Sequence, residues 1–178
     1  MKQLVPMLGL IALVIVVSAP GPAAQSPSIQ KEMTADWSNL KGTMSKIAGA
    51  MPEDKFKFKP TEPQRDYGQQ ILHVAQVNFK FLQAIGAKTP MPNIDLKATT
   101  KAGIIKAMED TFDYGTAILN EQTDQAMLMP AAMPPGFLGP SSRARIFTFL
   151  LGHTWDIYGQ MAVYLRLNGV TPPASVRP

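Results

Sequence analysis

The side chains best suited to hold a metal or move a proton in this chain are two histidines, His73 and His153; there is no cysteine. His153 opens the stretch HTWDIYGQ (153–160), and His73 lies in LHVAQVNF (72–79). At about 100° per residue, a helix through the later stretch gathers Ile146, Phe149, Leu150, His153, Ile157, Gln160, Met161 and Tyr164 into one sector. His153 and Gln160 are therefore expected on the buried face, where a polar group is costly unless something satisfies it. His73 falls off the centre of its own apolar face, on the flank that holds Val77 and Lys80, a position suited to a groove between helices. Histidine is the commonest metal ligand, and helix bundles assemble metal sites from facing helices. A catalytic ion usually takes three protein ligands and a water. Two histidines leave that set one short. Asp156 follows His153 by three residues and Glu109 borders another apolar stripe, but neither completes the set convincingly. Spacing alone favours the plainer arrangement, with His153 a satisfied core residue, His73 a surface residue and Asp156 a solvent-facing acid.

Other chemistries find less support. Without cysteine there is no disulfide framework, thiol nucleophile or thiolate metal site. No glycine-rich phosphate loop, Ser-His-Asp arrangement or inward pair of acids stands out, and Asp110 and Asp113 read as a solvated face. Eleven methionines are present, with Met127, Met129 and Met133 close together. Thioethers suit Cu(I), yet methionine is ordinary core filler. The densest basic stretch, Lys55-Phe-Lys-Phe-Lys59, alternates and reads as a solvated connection rather than a nucleic-acid groove. The net charge of +4 is small and dispersed.

The first 24 residues read as a secretory signal peptide. Lys2 supplies the charged start, Met7 to Val17 form an apolar run short for a membrane span, and small residues follow up to Ala24. The protein is accordingly expected to be periplasmic or secreted, with no membrane attachment after cleavage near Ala23 or Ala24. What remains is about the size of one domain, placed at 28–170 with a tail at 171–178.

Four amphipathic segments fill that domain. The first, about 28–50, carries Met33, Trp37, Leu40, Met44 and Ile47 at three- and four-residue steps. The second, about 66–86, starts at a capping Asp66 and presents Ile71, Val74, Ala75, Asn78, Phe79, Leu82 and Ile85. The third, about 99–125, carries Ile105, Met108, Phe112, Gly115 and Leu119. The four prolines of MLMPAAMPPGFLGP (127–140) interrupt the pattern. The fourth runs from Ser141 or Ser142 to Asn168-Gly169, where Pro172 and Pro173 reinforce the stop. No alternating β-branched run suggests a sheet. An all-α four-helix bundle follows. Its connections are long enough to run the length of the bundle, so crossovers between parallel neighbours are open.

The segments MPEDKFKFKPTEPQRDYGQQILHVAQVNF (51–79) and HTWDIYGQMAVYLRLNGVTPPAS (153–175) resemble the DinB-like (YfiT-like) family of metal-dependent four-helix-bundle proteins. The resemblance covers most of the chain after the leader. It implies an up-down-down-up bundle and a metal held by one histidine on the second helix and an H-x-x-x-H pair on the last. His73 and His153 match two of these ligands; the third position is Ile157, which has no donor atom. Some members of the family transfer or hydrolyse with the bound metal, including thiol-cofactor transferases. The expectation is therefore an exported DinB-like domain of unassigned activity. Its degenerate two-histidine site, bounded by Ile157, Gln160, Asp156 and Asn78, would bind a small molecule or a protein, a second copy of the chain included, and not nucleic acid. The alternative is a hydrolase or transferase using His73 and His153 with a divalent ion (Zn, Ni, Mn or Fe). A third role, contact through the Pro/Met-rich 127–140 connection, is separable by deleting that loop.

Overall fold

Ser28 begins the bundle. Its hydroxyl accepts the Lys31 N–H and caps helix α1 (Ile29–Ala50). The structure is a computed structural model that describes residues 27–176; the expected leader lies outside them. Helix α2 (Tyr67–Gln83) starts with a reciprocal capping box. The Asp66 carboxylate accepts the Gln69 N–H at 2.7 Å, and the Gln69 side chain accepts the Asp66 N–H at 2.9 Å. Helix α3 spans Lys101–Asn120 behind a Thr100 cap, and α5 spans Arg143–Leu167 behind a Ser142 cap. The last helix ends where Asn168-Gly169 predicts. Gly169 adopts a φ of 71°, the Val170 N–H reaches back to Leu165 and the Gly169 N–H to Arg166, which together satisfy the terminal carbonyls.

The third helix is shorter than its sequence pattern suggests. It stops at Asn120, and Thr123 caps a separate short helix, α4 (Asp124–Leu128), by accepting the Ala126 N–H. Asp124 then accepts both the Gln30 N–H and the Ser28 hydroxyl, each at 2.8 Å, and pins α4 to the start of α1. A local cap and a tertiary contact thus override the continuing periodicity.

The packed pairs are α1–α3, α3–α2, α2–α5 and α5–α1, so α1 and α2 stand diagonally although they are consecutive in sequence. Gln30 bonds Leu119 and Lys101 bonds Met51, which makes α1 and α3 antiparallel. Asn78 bonds Thr111 and Phe79 packs on Tyr114, beside Gly68 near Ile104, which makes α2 and α3 parallel. Gln70 bonds Gln160 while Phe81 stacks on Phe149, which makes α2 and α5 antiparallel. The order is up-down-down-up. The α2–α3 connection returns along the bundle, burying its own Ile94 and Ala98 and accepting a hydrogen bond from Gln76 at Leu96.

Trp37 anchors the core. It is fully buried, its indole N–H donates to the Phe112 carbonyl at 2.8 Å, and its ring packs on Phe112 and Phe147. A Cβ at Gly115 would come within 2.5 Å of the indole, so only glycine lets α3 approach there. On α3 it is Ile104, not Ile105, that is buried, together with Thr111, Tyr114 and Ile118. Because α3 serves two neighbours, its buried face is wider than one stripe. Among the described residues no helix is long and apolar enough to cross a membrane.

Candidate functional site

The antiparallel seam between α2 and α5 carries a ladder of paired polar side chains. On α2, Gln70 and His73 stand three residues apart and share a face. On α5, His153, Asp156, Gln160 and Tyr164 do the same at steps of three and four. The rungs meet like with like. His73 Nε2 and His153 Nε2 are 3.2 Å apart, with ring centroids at 5.0 Å. One turn along, Gln70 donates to the Gln160 carbonyl oxygen at 2.8 Å and to the Tyr164 hydroxyl at 3.3 Å. Gln160 passes its own N–H to Asp156 at 3.0 Å, and Tyr164 donates to the Arg65 carbonyl at 3.0 Å.

The burial of α5 is rotated from the simple wheel. His153 and Gln160 are half-buried at the seam, whereas Thr154 is fully buried with Phe147, Leu150 and Leu165. The wheel centres on one partner, but α5 packs against both α1 and α2, and the midpoint between them lies nearer Thr154. His73 is half-buried, on the flank its spacing indicates. Ile157 is 3% exposed and places hydrocarbon one turn from His153. Asp156 is exposed. Asn78 is fully buried between α2 and α3, donating to Thr111. Met127 is buried while Met129 and Met133 are exposed, so these three sulfurs do not share a face.

Burial depresses the basicity of both imidazoles. His73 is pushed down to about 4, by desolvation first, then by the Arg65 guanidinium and by His153. His153 is also lowered by desolvation, with Asp156 opposing and Arg65 assisting. Two neutral rings can share one proton across Nε2···Nε2 only if they adopt opposite tautomers. Either way His153 Nδ1 is left buried with no partner, as are Gln70 Oε1, Asn78 Oδ1 and Thr154 Oγ1. All five such side-chain atoms among the described residues, Arg143 Nε included, sit on α2 and α5. Phe149 stacks beside His153, Phe81 on Phe149, and the exposed Phe137 of the 127–140 connection against both. A concavity of about 280 Å³ touches the ladder, bounded by Pro60, Gln64, Gln160, Val163 and Tyr164. A larger one of about 420 Å³ lies away from the histidines, beside Phe56, Gly68, Lys97 and Lys101.

The ladder fits half of a metal site. Two ligands on a tetrahedral ion at zinc–nitrogen bond lengths stand about 3.3 Å apart, close to the 3.2 Å found. The other half is missing. Ile157 supplies no donor, and among the described residues no group of three His, Cys, Asp or Glu could hold an ion. A ligating histidine also almost always gives its second ring N–H to an acceptor, and His153 Nδ1 has none. The residues present therefore do not fit a resident catalytic ion.

The profile of the DinB family matches residues 26–176. The chain belongs to the DinB family. Solved DinB-like proteins share the architecture. One from Bacillus cereus ATCC 10987 superposes with a TM-score of 0.66 at 18% identity, covering 84% of this chain and 98% of that one. One from Bacillus subtilis gives a TM-score of 0.61 at 16% identity, covering 78% and 92%. No curated protein matches. At these identities the likeness speaks for the fold. Sequence reasoning missed Gln70 and Thr154 as members of this polar DinB interior. Gln70 was within reach, since it precedes His73 by three residues; Thr154 was hidden by the rotation of α5.

Proposed function

We propose that this DinB-family protein is an exported binding bundle whose metal site has degenerated to two histidines. It would recognise a small molecule or a protein at the α2–α5 seam through His73, His153, Gln70 and Gln160. The carrying observation is the histidine pair itself: two neutral imidazoles at ion-sharing distance, with Ile157 in place of a third donor. The unpartnered Gln70 Oε1 and His153 Nδ1, together with the concavity beside Gln160, support a polar ligand of modest size. Export rests on the leader-like residues 1–24, whose charge, apolar run and small residues follow the secretory pattern. Elemental analysis of protein recovered from its native compartment tests the reading. Less than about one-tenth of an equivalent of Zn, Ni, Mn or Fe is expected, and a stoichiometric, tightly held ion would reject it.

A divalent-metal-dependent hydrolase or transferase is the second reading, favoured by the separation of the two Nε2 atoms alone. Under it His153→Ala must lose bound metal, and unchanged metal content in that variant would remove it.

A further inference from the structure

The outer face of α5 differs from those of the other long helices. Where α1 and α3 show mainly lysine, aspartate, alanine and small residues to solvent, with Gly42, Gly49 and Ile29 on α1, α5 shows Gly152, Trp155, Asp156, Gly159, Val163, Arg166 and Leu167. Trp155 is 49% exposed, Val163 51% and Leu167 59%. These residues recur at three- and four-residue steps and form one stripe. The indole of Trp155 is braced edge-on by Tyr158 at 5.3 Å, which holds it out as a fixed projection. Gly152 and Gly159 interrupt the middle of a helix, where glycine is a poor choice. No atom lies within 4 Å of where a Cβ would sit at either position, as is also true of Gly42 and Gly49 on α1; what distinguishes the α5 pair is the exposed Trp155, Val163 and Leu167 beside them. Glycine on a helix surface allows another backbone to come close, as Gly115 does for Trp37 inside this same molecule.

We infer that this stripe is the interface of a homodimer in which α5 packs antiparallel on its own copy about a two-fold axis at Gly159. The stripe is self-complementary about that point. Antiparallel pairing there sets each Trp155 against the partner's Val163, a large residue against a smaller one. It sets Gly152 level with the partner's Arg166, leaving room for the longer side chain, and brings Arg166 within about one helical turn, ~6 Å along the axis, of the partner's Asp156. Charge and size are thus both matched by an isologous contact, the kind that closes on itself. From Gly152 to Leu167 the strip is roughly 24 Å by 10 Å. Side-chain relief brings it to roughly 500 Å² a copy, or about 1,000 Å² for the pair, the lower edge for a specific interface. The dimer is therefore of modest affinity and concentration-dependent. The histidine pair lies on the neighbouring face of α5, and the contact borders the concavity beside Gln160, because Asp156 and Val163 stand between the two faces.

The chain has no cysteine, and its two tryptophans are Trp155 and the buried Trp37, which makes the test clean. Sedimentation velocity over a concentration series should show a monomer–dimer equilibrium, with Trp155 emission moving to the blue as dimer forms. Trp155→Glu and Gly159→Leu should each weaken the dimer at least tenfold. Gly159→Leu should at the same time raise the melting temperature of the monomer, a gain that a misfolded variant could not show. Gly159→Cys, on the axis, should oxidise to a disulfide-linked dimer, while Thr148→Cys, far from it, should not. A wild-type protein that stays monomeric throughout overturns the inference. So does a dimer that survives both Trp155→Glu and Gly159→Leu, or Trp155-dependent sedimentation with anionic phospholipid vesicles in the absence of any dimer.

Discussion

The seam between α1 and α3 has a hydrocarbon centre and satisfied polar contacts: Trp37 lies against Phe112 and Gly115 with its N–H paired with a carbonyl, Gln30 donates to Leu119, Lys101 to Met51, and Lys41 pairs with Asp113. The seam between α2 and α5 runs antiparallel in the same way, yet it is lined with histidine, glutamine and tyrosine, and buried polar atoms there lack partners. Both helix pairs are held by similar caps and similar periodicity. One seam is packed for stability. The other tolerates unsatisfied groups that stability alone would remove, because each costs about 1–3 kcal/mol when buried. Unpartnered Gln70 Oε1 and His153 Nδ1 on this seam are the local departure from a satisfied interior on which the proposed binding role rests.

The contrast is sharpest in what truncation does. Trp37→Ala should cost about 3–5 kcal/mol in urea denaturation, since it empties the largest volume in the α1–α3 seam. His73→Ala, which removes a half-buried ring from a seam already short of partners, should cost far less. Equal losses would erase the distinction between the seams.

Filling the missing corner of the ladder is the next step down. Ile157→His should cost about 1–3 kcal/mol without metal, by placing a polar ring where hydrocarbon packs. It should also raise zinc affinity about tenfold or more, which is about 1.4 kcal/mol, and recover part of the lost stability by mass action when zinc is added. Isothermal titration and melting with and without zinc measure both effects. A variant with no gain in zinc affinity would show that the seam is not a degenerate metal site at all.

Acid probes the histidines directly. His73 is depressed in the folded protein to about 4 from an ordinary value of 6.5, so between those limits the unfolded chain binds more protons than the folded one. Stability should therefore be full above about pH 6.5 and decline as pH falls toward 4. For a half-buried ring exposed to solvent screening the loss is on the order of 1 kcal/mol. The decline should flatten in His73→Gln and persist in Trp37→Phe. The smallest expected change is Thr154→Val. It replaces a buried, unpartnered hydroxyl with an isosteric methyl and should be neutral or stabilising by up to about 1 kcal/mol; a clear destabilisation would mean that the hydroxyl has a partner.

Much of the architecture is legible in the chain itself. The Asp66 cap, the Asn168-Gly169 stop and the apolar steps of the four long helices are local signals, and each appears where its residues place it. The end of α3 was not legible, because Thr123 and the tether of Asp124 to Ser28 and Gln30 outweigh a periodicity that runs on. The two histidines could be named from sequence, and His73 placed on a flank. Their separation could not be, nor could the ladder that Gln70 and Gln160 continue beyond them.

Sequence by itself determined the helices and their caps, since these follow from residue identity and spacing within one segment. Only the tertiary structure decided that α2 lies antiparallel to α5, that two imidazoles eighty residues apart meet at 3.2 Å, and that α5 turns Thr154 inward and Trp155 outward. The physical reason is that a helix fixes the relative directions of its own side chains. Which direction becomes a seam, a core or a free face depends on how neighbours that are distant in sequence share the burial of their apolar surfaces.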